Sequence, residues 1–151
     1  MQTKLSEALG QKVEALDFLQ QGQIGSIYKA SVEGQTYVLK TSSKVDKLAI
    51  EAKMLGDLHD AKIRVPKVIL AQDSFLVLEC IESVKQTKYT EEIEAAKLLS
   101  TLHTITNESH MYGYYYDTTI GPFPQKNEQT QYNWTLFLGQ MRIMPMARIC
   151  Y

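Results

Sequence analysis

The stretch "QQGQIGSIYKASVEGQTYVLK", residues 20–40, decides how this chain folds. Gly22 and Gly25 stand three apart, and a run from Ser26 to Val32 follows them. Ile27, Lys29 and Ser31 alternate there with Tyr28, Ala30 and Val32, the period-2 pattern of a half-buried strand. Glu33-Gly34 supplies a turn, and "QTYVLK" returns as a second run that ends on Lys40. Two such runs around a glycine-containing turn predict an antiparallel hairpin. The leading glycines admit two readings. A loop that cradles a triphosphate usually reads G-x-G-x-x-G, and here Gln20 takes the first place, so an ordinary hairpin is the simpler account. Lys40 points the other way. A charge that closes the apolar run "YVL" either has a partner or guards a sheet edge.

Working outward, Ser43 opens a helix with Asp46 as its capping-box partner. Val45, Leu48, Ala52, Leu55 and Leu58 recur at helical spacing and mark its apolar face. Glu51 lies beside that stripe and, taken alone, reads as a solvated carboxylate. Upstream, "VEALDFLQ" (13–20) fits a strand or a short helix. Beyond Pro66, "KVILAQ" and "FLVLECI" flank an Asp73-Ser74 turn and predict a second hairpin. The sum is about five strands with one helix inserted after the third.

A second helix is expected from Thr90, as its cap, to Ile105, with Glu91 and Glu92 at its positive end. Its inner face would be Ile93, Ala96, Leu99, Leu102 and His103. With no paired carboxylate in sight, His103 reads as a packed histidine rather than a catalyst. Residues 111–128 are rich in tyrosine and proline and follow no period. Trp134, Phe137, Leu138 and Met141 then begin a third helix, which Pro145 should interrupt.

The 151 residues suit one domain or one lobe of something larger, and 44% hydrophobic with 22% charged residues is a globular balance. Basic and acidic groups nearly cancel in both halves, leaving a net charge of −1. No basic field draws nucleic acid or an anionic bilayer, and neither is expected as a partner. The start "MQTKLSEALGQK" has no secretory pattern, and Cys80 and Cys150 form no C-x-x-C, so a cytoplasmic protein is expected. His59, His103 and His110 lack zinc-site spacing, and no metal site is expected from them.

The order of these elements resembles the small lobe of the protein-kinase-like fold. Glycine turns let backbone N–H groups approach phosphate, a strand lysine neutralises the α/β-phosphates, and a helix carboxylate fixes that lysine. The resemblance gives these roles to Gly22, Gly25 and Ser26, to Lys40, and to Glu51. The backbone of Glu79-Cys80-Ile81 would meet the adenine edge. The second half resembles the fructosamine kinase (ketosamine-3-kinase) family, relatives of the aminoglycoside phosphotransferases. The residues that carry this are Leu102-His103, Tyr112-Gly113, Asp117-Thr118-Thr119-Ile120-Gly121, Pro124-Gln125-x-Asn127, Trp134, Phe137, Arg142 and Pro145.

The resemblance implies an α+β fold: a kinase-like small lobe over residues 1–83, with a five-stranded antiparallel sheet plus one helix. A linker and the incomplete start of a helical large lobe would occupy 84–151. It implies ATP as cofactor, with Mg²⁺ expected for the family, and γ-phosphoryl transfer to a sugar hydroxyl of a glycated amine. The family's H-G-D-L-x-x-x-N-like catalytic loop and later metal-binding Asp have no counterpart in the sequence. The expectation is therefore a truncated chain, inactive alone, with no catalytic or metal-binding residue of its own. A glycated amine would be its substrate only if a C-terminal half is supplied. The alternative is a non-catalytic kinase-like lobe that binds nucleotide or a partner. The apolar C-terminal helix, from Trp134 on, is expected to promote self-association.

Overall fold

A computed structural model describes residues 1–22, 25–42, 45–82, 89–121, 123–127 and 132–150. The segment that was open to two readings, 13–20, lies in a strand, β1 (Val13–Gln21). It pairs antiparallel with β2 (Gly25–Val32), which pairs with β3 (Gln35–Ser42). Glu33 (φ 48°) and Gly34 (φ 78°) are both left-handed, the type I′ turn whose twist suits a two-residue hairpin. After α2 (Val45–Asp60), strands β4 (Val68–Gln72) and β5 (Phe75–Glu79) form the second hairpin. β5 docks on β3, and the sheet runs β1-β2-β3-β5-β4. This is the expected α+β architecture, a five-stranded antiparallel sheet with one helix after the third strand. The expected cap Ser43 lies outside the described residues.

Register fixes the two faces of the sheet. Ile27 stands opposite Lys40, and Lys40 opposite Leu76; Tyr28 stands opposite Leu39, and Leu39 opposite Val77. Side chains alternate along a strand, so Ile27, Lys40 and Leu76 share one face and Tyr28, Leu39 and Val77 the other. α2 covers the first face, where Leu48, Leu76 and Leu78 are buried and Val38, Ala52, Leu55 and Val68 pack around them.

The second face is covered by a helix that the sequence reading did not assign, α1 (Gln2–Leu9). Its Leu5 is buried among Val13, Ala30, Val32, Leu39, Phe75 and Val77. Complete burial of such a leucine stabilises by about 2 kcal/mol. Gln2 Nε2 donates to the Val13 carbonyl at 2.7 Å, and Ser6 Oγ accepts from the Val13 N–H at 3.0 Å. Gly10 (φ 65°) ends the helix in the left-handed conformation that glycine adopts without strain.

The packing divides the chain into two compact units, Met1–Leu102 and His103–Tyr151. This division falls at the last residue of α3 (Tyr89–His103); residues 83 and 84, between which the sequence boundary was drawn, lie outside the described set. α3 starts one residue before Thr90, so Thr90 sits in the first turn rather than at the cap. None of its side chains is buried: Ile93 is 39% and Leu99 55% exposed. His103 is likewise exposed and not the packed residue that was expected. Helical period marks which side of a helix is apolar, but not whether a surface lies against it.

The second unit holds a hairpin, β6 (Thr118–Ile120) with β7 (Phe123–Gln125), and a helical segment. Asn133 caps α4 (Trp134–Leu138), its Oδ1 accepting from Thr135 and Leu136 N–H at 2.9 and 3.2 Å. The interruption expected near Pro145 takes the form of a π turn, Gly139–Ile143, that leads into α5 (Met144–Cys150). There the Met144 N–H donates to the Gly139 carbonyl, five residues back.

Candidate functional site

Lys40 and Glu51 meet. Strand alternation turns Lys40 toward α2, and Glu51 lies three residues after buried Leu48 and four before Leu55, on the side of α2 that faces the sheet. The Lys40 ammonium and a Glu51 carboxylate oxygen form an ion pair, with side chains 29% and 31% exposed. Partial shielding makes such a pair stronger than a fully solvated one. The solvated reading of Glu51 is thus replaced by a paired one.

The same face holds Ile27, directly across from Lys40, and Val38, two residues before it; both are half-buried. Neither was singled out from the sequence. The alternation of the two strands around Glu33-Gly34 was the signal that could have found them.

The glycines serve the hairpin first. The Gly22 N–H donates to the Gly25 carbonyl at 2.7 Å, so this donor closes the turn. At Gly25, an added Cβ would lie 1.6 Å from the Thr41 carbonyl oxygen, which ties this glycine to the close approach of β3. Ser26 stands opposite Thr41, one step out of phase with Lys40, and its side chain is on the other face. Its hydroxyl donates to Gln21 Oε1 at 2.7 Å. The structure therefore brings Lys40 and Glu51 together, while the Ser26 hydroxyl lies on the opposite face and leaves only the backbone of Ser26 for the role expected of it.

At the end of β5, the Glu79 N–H donates to the Lys67 carbonyl at 2.9 Å, and Glu79 Oε2 accepts from the Lys67 N–H at 3.2 Å. Cys80 follows half-buried, and Ile81 is exposed. Glu79 and Ile81 border a groove of about 710 Å³ with Ile63, Arg64, Lys67 and Leu98. Among the described residues, no group of three or more His, Cys, Asp or Glu is placed to hold a metal ion.

The second unit ties its motif residues into one knot. Asp117 Oδ1 accepts the Asn127 N–H at 3.1 Å, and Lys126 Nζ pairs with Asp117 Oδ2 at 2.5 Å. Asn127 is only 5% exposed, and its Nδ2 donates to Thr118 Oγ1 at 2.8 Å and to the Tyr116 carbonyl at 3.1 Å. The Arg142 guanidinium donates to Asn127 Oδ1 and lies 4.7 Å from the centre of the buried Phe137 ring. Gly113 (φ 110°) lets its loop come this close, since a Cβ there would sit 3.1 Å from Phe137 and 3.2 Å from the Asn127 carbonyl. Tyr112 thereby reaches both Trp134 and Phe137, at ring separations of 5.4 and 6.2 Å.

The Lys126 hydrogen bond, and then the Asn127 N–H, hold the Asp117 carboxyl below its ordinary range. A depressed folded pKa contributes stability above the unfolded value and loses it as pH falls through the folded one. Acid titration of unfolding should therefore show a small loss on the acid side of the carboxylate range, small because solvent screens this exposed pair. Asp117→Asn is expected to flatten that acid limb, and an unchanged limb would remove Asp117 as its source.

A sequence model of the family described as fructosamine kinase matches residues 1–151. A protein-ribulosamine 3-kinase, chloroplastic, of Oryza sativa subsp. japonica is 26% identical over 147 residues, covering 92% of this chain and 42% of the relative. Among solved structures, one described as a fructosamine-3-kinase from Haemophilus somnus 129PT superposes with a TM-score of 0.82 at 28% identity, over 99% of this chain and 52% of the other. A spectinomycin phosphotransferase, solved with ADP and spectinomycin, shares the fold at a TM-score of 0.54 and 17% identity, over 76% of this chain and 41% of the other. The chain spans about half the length of the relatives it matches.

Proposed function

Since the chain belongs to the fructosamine kinase family, we propose that it is part of an ATP-dependent kinase whose substrates are glycated amines, with residues 1–83 as the nucleotide-binding lobe. The ion pair of Lys40 with Glu51 is the observation that carries this reading. Phosphoryl transfer is mostly positioning and charge neutralisation, and a fixed ammonium on a sheet face is the part that meets the α/β-phosphates. Glu51 holds the Lys40 ammonium in place. Ile27 and Val38 offer the apolar surface on which a base rests, and the backbone of Cys80 and Ile81 offers hydrogen bonds to its edge. ADP in the related spectinomycin phosphotransferase supports a nucleotide in this fold.

Mg²⁺ is usually held by one or two carboxylates together with the nucleotide's own phosphates. The family's ligands for it belong to the catalytic loop and the later Asp, which the 151 residues do not contain. A general base for the sugar hydroxyl would come from an H-x-D-x-x-x-x-N loop, a pattern the 151 residues do not contain. Nucleotide binding without phosphate transfer is the expected behaviour. Titration calorimetry with ATP, followed by a phosphate-transfer assay on a fructosyl-amine, tests it. Sustained turnover by the purified chain would overturn the division of labour proposed here, and failure to bind ATP would overturn the nucleotide site.

A further inference from the structure

A π turn is rarer and less favourable than the α-helix on either side, so its presence at Gly139–Ile143 needs a cause. Two stand next to it. Pro145 follows, and Arg142 lies within it. In an unbroken α-helix the Met141 carbonyl would accept from residue 145, which as proline has no N–H to give. Arg142 supplies that donor instead: its Nη1 donates to the Met141 carbonyl at 3.0 Å. The same nitrogen donates to the Lys126 carbonyl at 2.7 Å, and Nη2 donates to Asn127 Oδ1.

We propose that the clasp between Arg142 and Asn127, rather than Pro145, holds the π turn and so fixes the rotational register of α5. Asn127 is a rigid anchor, buried and held by Thr118 and the Tyr116 carbonyl. Conversion of the π turn to α geometry turns everything after it by about 100° about the helix axis. A guanidinium fastened to the hairpin and to its own helix cannot follow that turn without breaking hydrogen bonds. Arg142 is thus a positioning residue: the face that Met146, Ala147 and Ile149 present is set from the β6–β7 hairpin, not by the helix itself.

The test is the hydrogen-bond partner of Met144 in the isotopically labelled full chain, read from scalar couplings across hydrogen bonds. In the native chain the Met144 nitrogen couples to the Gly139 carbonyl carbon. Arg142→Met keeps a stem of similar length on Phe137 but removes every donor, and the coupling is expected to move to Gln140, with faster amide exchange at Met144. Pro145→Ala is expected to leave the Gly139 coupling in place. Retention of that coupling in Arg142→Met, or its loss in Pro145→Ala, overturns the proposal. Should Arg142→Met fail to fold, Pro145→Ala decides alone, by the same criterion.

Discussion

Lys40→Ala is expected to weaken ATP binding by about tenfold or more, the scale of one charge-assisted contact to phosphate. The substitution removes the ammonium and leaves Glu51, now unpaired, to repel a polyanion across the same sheet face. Lys29→Ala is the matched control. Lys29 lies on the same face and hairpin, opposite Val38, but is exposed and outside the Lys40–Glu51 pair. It is expected to change affinity by about twofold at most, the size of a screened surface charge. Calorimetry on both variants at one ionic strength separates a specific contact from a general charge effect. Equal losses would show that only net charge matters.

Gly25→Ala is expected to cost about 3 kcal/mol of stability, the upper part of the range for forced overpacking. The added Cβ would meet backbone at 1.6 Å from the Thr41 oxygen, 2.7 Å from its carbonyl carbon and 3.1 Å from Ser42 Cα. No side chain can swing away to relieve this, so β2 and β3 must part at one end. Gly56→Ala is the contrasting change. Gly56 sits in α2 with nothing within 4 Å of an added Cβ, and alanine there should stabilise by about 0.5–1 kcal/mol through helix propensity. Urea unfolding of the two variants gives both signs. A wild-type midpoint for Gly25→Ala would mean that the Gly25–Ser42 end of the β2–β3 pair yields without resistance.

What the sequence revealed, and what it hid, follows from the range of each interaction. The hairpins and the inserted helix were legible because each rests on local alternation or helical spacing. The pairing of Lys40 with Glu51 was expected only from the resemblance to a kinase-like lobe, since spacing alone left Glu51 solvated. α1 was not: "QTKLSEAL" has only Leu5, Ala8 and Leu9 as apolar positions, and its place depends on a sheet face assembled from distant strands. The role expected of Ser26 is a backbone one, and strand parity with Ile27 and Lys40 settles only that its hydroxyl lies on the other face. For α3 and His103, the spacing was right and the burial was not, because an apolar stripe does not name its partner. The motif residues of the second unit looked like a scattered signature, and their meaning as one hydrogen-bonded knot required the turn at Gly113 and the fold of the β6–β7 hairpin.

In the strand order β1-β2-β3-β5-β4, only the β3–β5 pairing joins strands that are not successive in the chain. Isolated hairpins close in about 1–10 μs. Pairing across an intervening helix must first close a much longer loop, and the entropy of that closure slows the search. Lys40 and Glu51, eleven residues apart, lie on the near side of this step. Their pairing needs only the β2–β3 hairpin and the first turns of α2. The β3–β5 pairing sets buried Leu76 beside Lys40 and so shields the pair from water. The charged centre thus rests on a short chain closure, and its low-dielectric wall on a longer one.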